Sequence, residues 1–359
     1  MRIFRTFLTL RPEALAVILL AIVAAAAPAH AQRVQGSGST FAFPVISAWK
    51  KSFLEKRAAG SDFVVDDLGV DYEPIGSLGG VMRLAQPDID FAATDAPLSP
   101  EELSKRDLAQ FPIVVGGLAV VTNLDGVETG KLKLTGELIA QIYLGKVNRW
   151  NDPAVAAANP GVTLPDQEIV PLHRADGSGS TLTFTHYLAA SNAEWKSGPG
   201  SDTLISWPAG KAAEGTSGMI EAAAATKGAI AYVEFGQAQR GELAFAQLSN
   251  AAGTFVAPSP DAFAGTAAAA EWDPERGFHL QLADVNSPAA YPLTAATFVL
   301  MHRTQRSAAR TRRTLFFLSH ALDSGGADAA ALGYVPLPEA VVGKVKTYWH
   351  EALPGAAGL

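Results

Sequence analysis

Four short loops of glycine, serine and threonine, each set where an apolar run gives way to a helical pattern, constrain this chain most. They read Gly36-Ser37-Gly38-Ser39-Thr40-Phe41, Gly76-Ser77-Leu78-Gly79-Gly80, Thr94-Asp95-Ala96-Pro97 and Arg174-Ala175-Asp176-Gly177-Ser178-Gly179-Ser180-Thr181. Repetition of strand, loop and helix argues for an α/β architecture with the loops gathered at one sheet edge. Such loops offer backbone N–H groups, hydroxyls and one guanidinium. Together these suit a small tetrahedral oxyanion held without a metal or a nucleophile. The pattern points to a receptor rather than a catalyst.

The first 31 residues fit a cleaved export signal. Arg2, Arg5 and Arg11 precede the apolar stretch Ala14–Val23, and Ala29-His30-Ala31 places small residues two apart. The stretch is too short and alanine-rich for a good membrane anchor. Cleavage after Ala31, a mature start at Gln32 and a periplasmic location are expected. The sequence contains no cysteine, which excludes disulfides, thiolate metal sites and a lipid attached through sulfur. The rest of the chain is long enough for two domains. The full chain carries a formal charge of -7, which becomes about -9 once three arginines and Glu13 leave with the signal. That balance disfavours nucleic acid. An anion must therefore be bound by donors aimed inward.

Val45, Ile46, Trp49 and Phe53 recur at helical spacing after the first loop, with Pro44 tolerated in the first turn. Phe63–Val65 and Val70–Tyr72 read as strands, and Ile89–Ala93 as a strand ending at Thr94-Asp95. Phe111–Val121 is a long apolar strand, and Ala295–Met301 matches it in kind. These two are the expected hinge strands crossing between domains. A helix is expected over Leu134–Ile142, a strand over Ile169–His173, and helices over Thr181–Ala189, Ala309–Asp323 and 339–352. Loops lie on both sides of Val115, which predicts a ligand cleft between the domains and closure on binding. The expected division is 32–114 plus 298–359 for the first domain and 115–297 for the second.

Arg174 presents a planar fork of donors suited to phosphate or carboxylate oxygens. Asp176, two residues on, can hold that fork in one rotamer. Ser178, Gly179 and Ser180 offer hydroxyls and the free amides of a helix start. Thr40 and Phe41 do the same in the first loop, and Ser77 in the second. Each loop, read alone, also suits an ordinary helix cap or turn. Asp95 is the unexpected member, because a carboxylate repels an anion. It becomes useful if the ligand carries a proton, as phosphate does near neutral pH and sulfate does not. Asp95 would then accept that proton's hydrogen bond and reject the fully deprotonated anion.

At these residues the chain resembles the periplasmic phosphate-binding component of bacterial ABC phosphate transporters. The likeness runs almost end to end beyond the export signal. It is closest in Gly36–Pro44, Asp88–Ser99, Gln141–Val155, Arg174–Phe184, Gly228–Phe235, Pro292–Arg303 and Tyr334–Pro338. The resemblance implies a two-domain, type II periplasmic-binding-protein fold with two crossing strands. It also implies a dehydrated phosphate held by Thr40, Phe41, Ser77, Asp95, Arg174, Ser178, Gly179 and Ser180, with Asp176 orienting Arg174. Relatives often carry threonine where this chain has Ser180, a change that keeps the hydroxyl but loses the stiffening methyl. The implied partners are inorganic phosphate and an inner-membrane permease. No cofactor, metal or nucleic acid is expected, and a monomer is.

An enzyme is not expected. No serine lies in a Gly-x-Ser-x-Gly elbow, no His-Glu-x-x-His run occurs among the seven histidines, and no lysine completes a nucleotide loop. His173 adjoins Arg174, but strand neighbours point to opposite faces. Two alternatives stay open: a receptor for a related oxyanion (arsenate, phosphonate or sulfate), and a phosphate-scavenging surface protein without a permease.

Overall fold

The structure is a computed structural model that describes residues 33–59, 69–304 and 307–356. The export signal and the strand expected at Phe63–Val65 lie outside these residues. The strands, in chain order, are β1 Val34–Gly38, β2 Val70–Glu73, β3 Phe91–Thr94, β4 Leu108–Thr122, β5 Lys133–Leu134 and β6 Val170–Arg174. They continue with β7 Lys211–Ala213, β8 Ala229–Glu234, β9 Ala244–Phe245, β10 Gln247–Ser249, β11 Phe255–Val256 and β12 Thr294–His302. Among the described residues, nine strands join in the order β2-β1-β3-β12-β4-β8-β6-β7, with β9 also on β4, and β11-β10-β5 form a small second sheet.

β4 is the spine. All fifteen of its residues are buried, as the apolar run from Phe111 to Val121 leads one to expect. Its first part pairs antiparallel with β12, from Leu108↔His302 to Gly117↔Thr294. From Leu118 onward it pairs with β8 instead, and at Val121 and Thr122 also with β9. One strand thus belongs to two lobes. The first lobe carries β1–β3 and β12; the second carries β6–β9. The chain returns beside β4 at Leu293, whose carbonyl accepts from the Leu118 amide at 2.9 Å. Both expected crossings occur here, each slightly longer than its apolar run suggested.

The ladder between β4 and β12 slips at Thr297/Phe298, where Thr297 faces Val114 and Phe298 faces Pro112. Ile113 is the extra residue. Proline has no N–H for the ladder, and a bulge is where a strand interior accommodates it. The bulge sits beside the end of β3, because Phe298 also pairs with Thr94.

The helices pack this sheet from both lobes. Trp49, on the Phe43–Ala59 helix, donates its indole N–H to the Gly325 carbonyl at 2.8 Å. In the second lobe Trp150 donates to the Gly228 carbonyl at 3.0 Å. Buried apolar residues of both lobes form one continuous core through β4. Among the described residues, no helix is long and apolar enough to cross a membrane.

Local chemistry shifts several element ends. The helix expected from Leu134 begins at Gly136, because Thr135 caps it by accepting from the Leu138 amide at 3.1 Å, while Leu134 pairs with Leu248 in the small sheet. Ser178 caps the helix expected over Thr181–Ala189, which therefore runs Gly179–Ser191 and starts two residues early. The strand before it ends on Arg174 rather than His173.

At the crossing, Gly117 has no side chain because none fits. A Cβ there would stand 2.1 Å from Cε1 of the fully buried Phe263. Replacing Gly117 with alanine is expected to destabilise the fold by about 1–3 kcal/mol through overpacking. A lowered melting temperature with unchanged far-UV circular dichroism is the expected result.

Candidate functional site

Asp95 follows directly on β3 and is only 4% exposed. Three hydroxyls surround its carboxylate. Ser39 donates to Oδ2 at 2.5 Å, Thr297 donates to Oδ1 at 2.6 Å, and Ser77 Oγ lies 3.4 Å from Oδ2. Ser77 Oγ also accepts from the Asp95 amide at 3.1 Å. It does not cap its own helix, Ser77–Arg83. Burial pushes the Asp95 carboxyl up to about 6, against the opposing pull of the Ser39 and Thr297 hydroxyls, the Arg174 charge and Ser77. Near neutral pH the group is therefore mainly ionised, with remaining lone pairs able to accept a proton-bearing oxygen.

Arg174 ends β6 in the opposite lobe and is 3% exposed. Its Nε donates to Asp176 Oδ1 at 2.6 Å, and its Nη2 donates to Asp176 Oδ2 and, at 3.0 Å, to Thr40 Oγ1. Asp176 Oδ1 also accepts from the Gly215 amide at 3.0 Å. Burial acts to raise the Asp176 pKa. The hydrogen bonds and charge of Arg174, with the Gly215 amide, outweigh it and hold the carboxyl below its usual range. Asp176 thus engages one edge of the fork and leaves both Nη1 donors for other acceptors.

The first loop meets the second lobe here. Thr40 Oγ1 lies 3.0 Å from Thr216 Oγ1, at the start of the Gly215–Ala225 helix. Phe41 is buried, and its ring stands edge-on to Tyr334 with centroids 5.7 Å apart. The Thr40 and Phe41 amides have no acceptor among the described residues. Gly179 and Ser180 occupy the first turn of a thirteen-residue helix, where amides lack intrahelical acceptors and the dipole favours an anion. A Cβ on Gly179 would fall 2.6 Å from Asp95 Cβ and 2.8 Å from Ser77 Oγ. Only glycine allows the lobes to approach this closely. Ser178 is buried too, but its amide donates to the Thr203 carbonyl at 2.9 Å and its hydroxyl caps Thr181. What it has left to offer a ligand is the hydroxyl hydrogen.

The structure therefore brings all nine expected residues to one seam between the lobes. Leu78 N donating to Gly177 O at 3.1 Å closes that seam at its rim. His173 is not part of it: the ring stacks on Trp207 at 4.8 Å. Among the described residues, no group of three or more His, Cys, Asp or Glu side chains is placed to hold a metal. Sequence reasoning missed Ser39, Thr297 and Thr216. Ser39 was hidden among equivalent loop hydroxyls. Thr297 carried a readable signal, a hydroxyl within a strand whose neighbours are all apolar.

The Asp95 environment makes a measurable demand on stability. An unfolded aspartate titrates near 3.9, so between about pH 4 and pH 6 the folded protein keeps a proton that the unfolded chain has lost. The contribution is present below that window and lost as pH rises through it. Asp95→Asn does not titrate. In the ligand-free protein the variant should gain on the wild type by up to about 3 kcal/mol between pH 4 and pH 7. Glu234, which burial pushes to about 7 against its Gly236 and Gln237 amide bonds, is common to both proteins and cancels. Paired thermal melts across this range measure the difference; parallel pH curves would contradict the assignment.

The chain matches the PBP superfamily domain over residues 23–314. It is 39% identical over 317 residues to the phosphate-binding protein PstS of Xylella fastidiosa strain 9a5c, covering 88% of this chain and 85% of that one. With PstS of Pasteurella multocida the identity is 37% over 329 residues, covering 92% and 93%. Among solved structures, a phosphate-binding protein from Stenotrophomonas maltophilia aligns with a TM-score of 0.63 at 18% identity, covering 88% of this chain and 93% of that one. A phosphate ABC transporter substrate-binding protein from Clostridium perfringens, solved with bound phosphate, aligns at 0.61 and 18%, covering 85% and 100%. These two establish the shared fold, while the sequence matches establish kinship. The chain belongs to the PBP superfamily and, within it, to the family of PstS phosphate-binding proteins.

Proposed function

We propose that this protein captures inorganic phosphate between its two lobes and delivers it to the permease of an ABC importer. One observation carries the reading: an ionised Asp95 faces the seam from one lobe while a clamped Arg174 and an open helix turn face it from the other. Arg174 and the amides of Thr40, Phe41, Gly179 and Ser180 stabilise anionic oxygens. The hydroxyls of Ser178 and Ser180 add neutral donors, and that of Ser77 joins them by turning its one hydrogen from Asp95 to the ligand. Asp95 accepts from the ligand's own proton. A ligand held from both sides binds the closed form better than the open one, which is the condition for closure. Closure then brings the outer surfaces of both lobes into one arrangement for the permease to read.

The lobes in this reading are 32–114 plus 298–359, and 115–297, flexing at the crossing strands. The protein works as a monomer in the periplasm after removal of residues 1–31. The family kinship and the passage of β4 from one half of the sheet to the other support two lobes, with the strand pairing changing over at Gly117 and Leu118.

Titration calorimetry on the purified, phosphate-stripped protein is the test. One-to-one phosphate binding without sulfate competition is expected at neutral pH. Absence of phosphate binding by a folded, stripped sample would overturn the reading. Asp95→Asn should keep the fold and admit sulfate, since an amide can donate to an oxyanion that offers no proton. Unchanged selectivity in competition would remove Asp95 from that role. Loss of the gene should lower phosphate uptake in starved cells.

A further inference from the structure

Two tyrosines outside the ligand-facing set grip the Thr40–Phe41 loop from behind. Tyr72 donates its hydroxyl to the Ser39 carbonyl at 2.9 Å, and Tyr334 donates to the Phe41 carbonyl at 2.6 Å. The Ala42 amide, across the Phe41 peptide bond, donates to Ser39 Oγ at 3.0 Å. Peptide groups are planar, with C=O and N–H on opposite sides. Pinning the Ser39 carbonyl therefore fixes where the Thr40 amide points. Pinning the Phe41 carbonyl and the Ala42 amide fixes the next plane but one, and leaves the intervening Thr40–Phe41 peptide with little freedom.

Each tyrosine is itself held. Tyr72 is on β2, and its ring stacks between Phe43 and Phe91 at 6.3 and 6.0 Å. Tyr334 is 1% exposed and belongs to a short strap across the crossing strand. Next to it, Val335 and Val115 exchange both backbone hydrogen bonds, at 3.0 and 2.8 Å. On the other side, the Leu332 carbonyl accepts from Arg240 of the second lobe at 3.1 Å, and Gly236 of that lobe lies so close to the same carbonyl that a Cβ there would stand 1.8 Å from it. A Cβ on Gly116 of β4 would meet both Phe41 Cζ, at 2.9 Å, and Tyr334 Cδ1, at 3.1 Å. The strap thus touches the hinge, the second lobe and the back of the ligand loop at once.

We propose that Tyr72 and Tyr334 are positioning residues for the oxyanion site: their hydroxyls hold the Ser39 and Phe41 carbonyls outward so that the Thr40 and Phe41 amides face the ligand. Through the Leu332–Val335 strap, Tyr334 also ties that alignment to the crossing strand about which the lobes close. The proposal rests on the phosphate reading for its ligand, but not for its geometry. Preorganised amides stay aimed at the oxygen and do not have to be ordered when it binds. Loss of a hydroxyl removes no ligand-facing atom but frees the loop that carries the Thr40 and Phe41 amides.

The test compares wild type with Tyr334→Phe and Tyr72→Phe, using inorganic phosphate as the probe. Calorimetry and stopped-flow kinetics should show phosphate Kd raised about tenfold in each variant, mainly through faster release. Discrimination against sulfate should be retained, because Asp95 is untouched. In the ligand-free proteins, the amide resonances of Thr40 and Phe41 should shift and exchange faster with solvent. A purely structural role predicts lower melting temperatures with unaltered Kd and unaltered amide signals, and that result overturns the proposal. If Tyr334→Phe does not fold, Tyr72→Phe carries the same readouts, and unchanged Kd and amides in it overturn the proposal as well. If wild type fails to bind phosphate while the ligand-free amides still shift, the ligand assignment has failed and the positioning role stands.

Discussion

A single buried carboxylate sets the terms for the rest of this site. Asp95 sits at a strand end with Ser39, Ser77 and Thr297 around it, contributed by three separate stretches of chain. Hydrogen bonds to a charged group are worth roughly 1.5–3 kcal/mol each, and without them desolvation would keep the acid protonated. Each hydroxyl is there because the backbone delivers it. The bulge opposite Pro112 puts Thr297 beside the end of β3, and the glycine loop brings Ser39 over it. The charge is thus retained chiefly by the Ser39 and Thr297 hydroxyls, with the Arg174 charge across the seam next and Ser77 after it.

The same economy governs the whole seam. Asp95 and Asp176 oppose one guanidinium, so the fixed charges at the site sum to about -1 when both acids are ionised. An anion entering there is not drawn by net charge. What the seam offers it are the remaining donors of Arg174, backbone amides at helix starts and hydroxyls, groups whose attraction acts mainly at contact. The acidic surface of the chain is compatible with that arrangement, because nothing at the site depends on long-range steering.

Much of this was legible before the fold was known. Local chemistry announces itself: Gly-Ser-Gly-Ser-Thr before a helical pattern, or an arginine two residues before an aspartate, has few physical uses. Both crossing strands were visible as long apolar runs. What stayed hidden depends on register. Thr297 grips Asp95 only because β12 lies antiparallel to β3 and slips by one residue against β4, and no spacing along the chain encodes that slip. Thr216 reaches Thr40 only when the lobes meet. The start of the Gly136–Tyr143 helix turned on the Thr135 cap, which follows a Leu134 that suits strand or helix alike. Nothing in the sequence singled out the hydroxyls of Tyr72 and Tyr334, because they bind backbone, which has no sequence signature.

The paired crossing strands give the molecule the mechanics of a flexure. A sliding joint needs surfaces that part and re-form, and each pass exposes apolar area. Here the lobes share β4 outright, with β12 zipped along it for nine residues. A hydrogen-bonded ladder resists shear along its length but bends and twists readily. Bending at such a ladder would keep its hydrogen bonds and the buried core around it together. Such a joint has no detached state to fall into and little friction to overcome. It returns to register each time a cargo leaves, which suits a carrier that must cycle many times without coming apart.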